Sequence, residues 1–275
     1  LFGFLKILRV HVSILERHFD NRDDLISYVK QLAPWAEGNA SEIRGGRLEC
    51  EKRLTSLDAV RYGKTRNYGN GSVSMLSPFI HHGVITLNEV RNYVIQGNDS
   101  HKSIESFIRE LGWRDFWARF AENNEYFLWN DVEHYKTGYA SDHYQEKLPE
   151  DILEGDTGVA CIDGFISELL KTGYVHNHAR MYIASYIVHF RGIKWQVGAR
   201  WFLSHLLDGD IASNNFSWQW IASTFSNKPY IFNLENVHKY FNGIVNTTPS
   251  KNSVLNASYQ TLQKRLFPNL EIQDG

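Results

Sequence analysis

Helical spacing is the feature that most constrains this chain. From Asp20 onward no run of residues sustains the apolar–polar alternation of a strand, while the i, i+3, i+4, i+7 pattern recurs. Ile104, Phe107, Ile108 and Leu111 form one such stripe, and Glu110, Trp113, Arg114 and Trp117 repeat the spacing on an adjacent face. Thr86-Leu87-Asn88-Glu89 has the form of a capping box and predicts a helix running to about Val94, and Ser103 is expected to cap the next one. Further helices are predicted at 161–172, 176–190, 195–207 and 214–222, with loops and short turns from Asn130 to Gly158 and after Asn242. The expectation is an all-α protein whose two helical layers can enclose a ligand. A chain of 275 residues, 43% of them apolar, has enough material for such a core.

Charge and cysteine content narrow the function classes. Twenty-nine Lys and Arg against 31 Asp and Glu exclude a uniformly basic nucleic-acid coat but allow a local basic rim. Two distant cysteines, Cys50 and Cys161, exclude a disulfide framework and a cysteine-rich metal or iron–sulfur site, so a reducing compartment is the default. Localisation is therefore expected to be cytoplasmic, or organellar or nuclear in a eukaryote. The opening LFGFLKILRVHVSIL has no acid before Glu16, a pattern shared by a short amphipathic helix and a transit peptide. It is too short for the ~20 residues that span a bilayer, so no membrane partner is expected. His176 and His178 stand two apart on a predicted helix and point apart, so no shared metal is expected. Gly69-Asn70-Gly71-Ser72-Val73-Ser74 lacks the third glycine and the preceding strand of a dinucleotide fingerprint.

Arginine, acid and amide residues set among tryptophans carry the chemistry. Glu110 and Arg114, one helical turn apart with Trp113 between them, put a carboxylate, a cation and a flat ring near one surface, which by itself reads as an ion pair beside a core aromatic. Asn177 and Arg180 make a second cluster, followed by Asp208-Gly209-Asp210-Ile211-Ala212-Ser213-Asn214-Asn215. A helix end, a turn at Gly209 and a new helix capped by Ser213 or Asn214 explain the backbone there. They do not need two acids and two amides. Polar groups this dense between apolar helices are costly unless they bond each other or a polar ligand, and a flavin with its ribityl and phosphate groups meets that requirement.

Together these segments resemble the FAD-binding domain of the photolyase/cryptochrome family. The resemblance rests on Thr172-Gly173-Tyr174-Val175-His176-Asn177-His178-Ala179-Arg180-Met181, on Leu207 to Thr224, on Leu76-Ser77-Pro78 and on Glu110-Leu111-Gly112-Trp113-Arg114-Asp115-Phe116. It covers roughly residues 17 to 241 and implies an all-α, FAD-binding fold without the family's N-terminal antenna domain, as in a short member or a fragment of a longer chain. On this reading 1–16 is an N-terminal extension, 17–242 the helical FAD-binding catalytic domain, and 243–275 a tail with a short helix.

What the resemblance implies for single residues is specific. Tyr62, Ser74, Leu76, Ser77, Arg114, Arg180, Asp208, Asp210 and Asn214 fall where the family holds FAD. Ser74 and Ser77 offer hydroxyls to phosphate, and Ser77-Pro78 reads as a helix start with free N–H groups. Arg180 and Asp208 match an ion pair against the ring system, where a buried charge must be paired. Asn214 matches the residue facing flavin N5 and favours the repair branch. Glu110, Trp113, Asn177 and Met181, with Asn214, match the catalytic, lesion-lining positions of cyclobutane-dimer photolyases, with Trp113 stacking on flipped-out bases. Asn177 and Met181 stand where the (6-4) branch carries a histidine pair. Lys64, Arg66 and His178 are expected to contact DNA phosphates. Trp218 and Trp195 match the inner members of the family's electron-transfer chain, while the outer position aligns with Asp142, and Tyr144 is a candidate substitute. Departures stand at Val73 and Met75, where a Thr and an Arg are familiar, and at Ile152, where a Trp is common. The implied activity is light-driven repair of pyrimidine dimers in DNA by a monomer. The alternative is a cryptochrome-like sensor that binds FAD and signals through a protein partner.

Overall fold

The computed structural model describes residues 15–35, 38–98 and 100–270. The opening segment discussed above lies almost wholly outside them. The chain divides into two compact units, one ending at Glu42 and the other beginning at Ile43. The first holds helix α1, Arg22–Leu32, whose N-terminus is capped by the Asn21 side chain accepting from the Asp24 N–H.

The second unit is built from helices joined by turns and loops, and among its described residues the β pairing amounts to two isolated bridges, Gln145 with Ile193 and Asn242 with Val245. It runs through α2 (Arg47–Thr55), α3 (Ala59–Thr65), the short α4 (Ser77–His81), α5 (Leu87–Gln96) and the long α6 (His101–Asn123). After a looped region holding α7 (Glu150–Glu154) come α8 (Ala160–Thr172), α9 (Asn177–Ser185), α10 (Trp195–His205), α11 (Ile211–Ala222), α12 (Leu234–Phe241) and α13 (Tyr259–Leu266).

Helix ends follow local chemistry. Both halves of the capping box form at α5, with Thr86 accepting from Glu89 N–H and Glu89 from Thr86 N–H. Helix α6 starts two residues before the expected cap: Ser100 is the N-cap position, and Ser103 donates its hydroxyl back to the Ser100 carbonyl. Helix α11 also starts early. Asp210 caps it by accepting from Ser213 N–H at 2.8 Å, in place of Ser213 or Asn214. The stretch 176–190 is α-helical only to Ser185 and widens into a π-helical turn over Tyr186–Phe190.

Two apolar clusters fill the second unit. One gathers Leu76, Phe79, Val90, Ile104 and Phe107 from α4, α5 and α6, joined by Cys50 of α2. The other, larger, gathers Phe165, Tyr182, Trp195, Phe202, Trp218 and Phe241 from α8 to α12. The tail contributes to this second cluster: Leu255 is buried in it, and the Asn252 side-chain Oδ1 accepts from Cys161 N–H at 2.9 Å. Both cysteines are buried and free. Among the described residues no helix is long and apolar enough to cross a membrane, and no three His, Cys, Asp or Glu side chains gather to hold a metal.

Candidate functional site

Several of the polar residues singled out in the sequence meet where α4, α6 and α9 converge on the start of α11. Ser77, at the start of α4, donates its hydroxyl to Asp208, which lies just before α11. Arg180 of α9 donates from Nη2 to the same Asp208 oxygen at 2.9 Å and from Nε to the Val175 carbonyl at 2.9 Å. Its guanidinium carbon lies 5.2 Å from the centre of the Tyr174 ring. Asp208 is buried, and its other oxygen, Oδ1, has no partner. Burial raises the pKa of that carboxyl, but the Arg180 charge and the bonds from Arg180 and Ser77 outweigh it and hold the group below the usual carboxylate range.

Asp210 serves two elements. One oxygen caps α11, and the other accepts from Arg114 Nη2 of α6 at 3.4 Å, with His81 Nδ1 at 3.9 Å. Burial, followed by the neighbouring His82, lowers the His81 pKa and favours its neutral form. Asn214, one turn into α11, donates to the Ala199 carbonyl at 3.1 Å and to Asn215 Oδ1 at 2.9 Å. Ser213 Oγ beside it is buried without a partner.

The loop leading to α4 is tightly specified. A side chain at Gly71 would bring Cβ to 2.0 Å from the Thr65 carbonyl, so the chain can turn there only with glycine. Met75 has φ +49°, a left-handed conformation unusual for a residue with a side chain. Ser74 Oγ accepts from Leu76 N–H at 3.3 Å, and Leu76 is buried. Tyr62 of α3 packs edge-on against Phe107 with ring centres 5.0 Å apart, and burial pushes its phenol up to about 12.

A second surface adjoins this one. Glu110 pairs with Arg66 at 3.1 Å, while Arg114 reaches Asp210. The two i, i+4 residues therefore do not pair with each other, because each finds a partner on another element. Trp113 leaves 48% of its surface exposed and stacks on Trp117 at 5.6 Å, which stacks on Phe216 at 5.4 Å. Asn177 is exposed at the first position of α9, and Met181, one turn on, is half-buried. Lys64 is exposed on α3. His178 is no source of positive charge at neutral pH: burial lowers its pKa, and its Nδ1 is bonded to the Asn67 carbonyl at 2.9 Å.

Trp218 lies in the core against Gly198, where a Cβ would fall 2.3 Å from the indole. Trp195 is fully buried and donates its indole N–H to Asp131 at 2.6 Å. Asp142 sits in a short exposed turn, whereas Tyr144 is buried and stacked on Tyr135 at 4.4 Å. Three residues of this neighbourhood escaped sequence reasoning: Arg53, Tyr174 and His81. Tyr174 lies inside a quoted segment, but nothing in the order of residues sets it beneath Arg180. His81 reads only as the end of a short helix.

Residues 107–246 match the family model described as the FAD binding domain of DNA photolyase. The chain belongs to the DNA photolyase and cryptochrome family. It is 31% identical over 188 residues to the deoxyribodipyrimidine photo-lyase of Streptomyces griseus, an alignment covering 66% of this chain and 40% of that one. The chain thus spans about two-fifths of that relative's length. The crystal structure of an archaeal photolyase from Sulfolobus tokodaii with two FAD molecules superposes with a TM-score of 0.62 at 30% identity, covering 77% of this chain and 48% of that one. Synechocystis cryptochrome shares the fold, with a TM-score of 0.66 at 24% identity over 85% of this chain and 54% of its own.

A family FAD-binding domain needs donors for a pyrophosphate and both donors and acceptors for a flavin ring, and the residues present fit that group. Asp208 Oδ1 is a buried acceptor without a donor, which suits a ring N–H. Ser213 Oγ is a second buried polar atom without a partner, and Ser74 before α4, Arg114 on α6 and Asn214 on α11 are further polar groups.

Proposed function

We propose that this protein carries out blue-light-driven DNA repair, with reduced FAD transferring an electron to a cyclobutane pyrimidine dimer. One observation carries the reading. Neighbouring residues of α6 face two ways, Arg114 toward Asp210 and Trp113 into the open beside the Arg66–Glu110 pair. A cofactor held at Asp210 and Asp208 then adjoins an exposed aromatic face, as a dimer flipped out of DNA requires.

In this reading Tyr62, Ser74, Leu76, Ser77, Arg114, Arg180, Asp208, Asp210 and Asn214 hold FAD. Arg180 and Asp208 keep each other's charge compensated and would hold the ring system, with Asn214 contributing a polar group to the same site. Bound there in its reduced form, FAD would supply light-driven one-electron chemistry that is redox-neutral overall, the electron being returned when the dimer has split. Trp113 stacks on the lesion bases, Glu110 accepts hydrogen bonds from them, and Asn177 and Met181 line the opposite side. Lys64 and Arg66 meet DNA phosphates, whereas neutral His178, whose single N–H is spent on the Asn67 carbonyl, has none left to offer them. Trp218 and Trp195 carry electrons inward to reduce the cofactor. The stacked rings of Trp117 and Phe216 support Trp113 from beneath.

The test is to load the protein with FAD, reduce it, and illuminate it with blue light beside an oligonucleotide carrying a thymine dimer. Recovery of the thymine absorbance band, dependent on light and lost in Glu110→Ala or Trp113→Ala, is the expected result. Full flavin reduction without recovery would favour the cryptochrome-like sensor or a (6-4) lesion.

A further inference from the structure

We propose that Arg53 is a phosphate contact of bound FAD, supplying the cation for the loop between Gly71 and Ser77. The proposal rests on FAD occupying the cradle of Ser77, Arg180 and Asp208. In sequence Arg53 is one half of a commonplace Glu49–Arg53 pair on a charged helix. In the fold it stands in different company. Its Nη1 lies 3.3 Å from Met75 Sδ, its guanidinium carbon is 5.8 Å from the centre of the Phe79 ring, and its Nε is buried with no acceptor.

Those contacts leave the guanidinium poorly satisfied. A thioether is a weak acceptor, and Glu49 reaches Nη2 only at 3.5 Å while also facing Lys52 at 3.7 Å. A planar fork of donors in such a place matches an oxyanion. The neighbour it touches is also the strained one, since Met75 is held at φ +49°. Residues kept in sparsely populated backbone regions cluster at ligand clamps, where the surrounding structure holds them.

Charge accounting points the same way. Within the cradle Arg180 is matched by Asp208 and Arg114 by Asp210, and at its edge Arg66 is matched by Glu110. A pyrophosphate brings two negative charges to a place where those cations are already neutralised. Lys52 and Arg53 share the one carboxylate of Glu49, at 3.7 and 3.5 Å, so Arg53 has no acid of its own at hydrogen-bond distance. Tyr174, which lies under Arg180, is also within range of the Arg53 charge, so Arg53 shares the cradle's electrostatic environment.

The experiment titrates the metal-free, flavin-free chain with FAD and, separately, with riboflavin, following quenching of flavin fluorescence. Arg53→Met is expected to weaken FAD by about tenfold or more, the loss of a charge-assisted hydrogen bond, and to leave riboflavin within about threefold. Arg53→Lys keeps the charge without the fork and should fall between wild type and Arg53→Met for FAD. The thermal midpoints of the flavin-free variants show that each is folded. FAD affinity of both variants within threefold of wild type overturns the proposal, as does a parallel loss of riboflavin, which would make Arg53 a structural residue. A wild-type chain that takes up no FAD removes the cradle reading and this proposal with it, whereas wild-type uptake with unaffected variants removes this proposal alone.

Discussion

Replacing Arg180 by methionine separates the pair at the centre of the cradle while keeping an apolar stem over Tyr174. Asp208 then loses a 2.9 Å charge-assisted bond and keeps only the Ser77 hydroxyl, with its Oδ1 already unpartnered. Breaking a buried pair from one side costs about 3–5 kcal/mol, and the surviving Ser77 bond places the loss in the lower half of that range. For a chain of this size about 3 kcal/mol corresponds to a fall of about 6–12 °C in Tm. The pH dependence tests the cause. In the wild type the Asp208 pKa is lowered, so the pair's contribution is present above the unfolded value near ~3.9 and is lost as pH falls through the folded value. In Arg180→Met burial acts without the arginine and raises the folded pKa. Stability is then fully present below ~3.9 and lost as pH rises through the raised value. The deficit against wild type must therefore be larger at pH ~7 than at pH ~5. Urea unfolding of the flavin-free chain, followed by circular dichroism at both pH values, measures this. Arg180→Met/Asp208→Asn should recover more than half of the loss. A deficit under ~1 kcal/mol at neutral pH, or one that does not shrink on acidification, refutes the reasoning.

Burial holds His176 and His189 down to about 4 from the ordinary 6.5. A depressed base contributes stability that is present above ~6.5 and lost as pH falls toward 4, by up to ~1.4 kcal/mol per pH unit for each histidine, and a urea midpoint that stays flat across that window contradicts the assignment. Gly198→Ala drives a methyl into the Trp218 ring at 2.3 Å, so despite the gain in helix propensity it should destabilise by about 1–2 kcal/mol, read as a lower thermal midpoint. Trp113→Ala should weaken binding of a dimer-containing oligonucleotide by about 1–3 kcal/mol in an electrophoretic or anisotropy titration while leaving FAD uptake unchanged, and an unchanged lesion affinity would remove Trp113 from the cavity.

What the order of residues made legible were local decisions with one dominant partner. Thr86 and Glu89 satisfy each other's backbone, so four letters suffice to start α5. The start of α11 was misread because Asp210 both caps the helix and binds Arg114, and a run of two acids, a serine and two asparagines holds several chemically adequate caps. Glu110 and Arg114 have the spacing of an ion pair, yet a pair on a helix surface is worth only about 0.2–0.5 kcal/mol. Tertiary partners on α3 and before α11 therefore prevail. Arg53 was invisible for the same reason, since Glu49 one turn away explains it locally. The π-helical turn at Tyr186–Phe190 leaves no periodic trace, because one residue inserted into a buried helix changes register without changing composition.

The cradle's charges are balanced before any cofactor arrives, and this shapes how affinity is distributed. Asp208 and Asp210 are each tied to an arginine and to a second donor, the Ser77 hydroxyl or the α11 backbone, so the domain can fold without leaving either acid unpaired. The groups left over are Asp208 Oδ1, Ser213 Oγ and the Arg53 guanidinium, two oxygens and one cation. Side chains already locked by folding lose little further freedom on binding, so a ligand that satisfies those leftovers gains nearly the full worth of each bond. A flavin ring bearing an N–H and a pyrophosphate bearing negative charge satisfy them from two separate parts of one molecule. On this account the paired residues set the shape of the site, and the unpaired ones determine how tightly FAD is held.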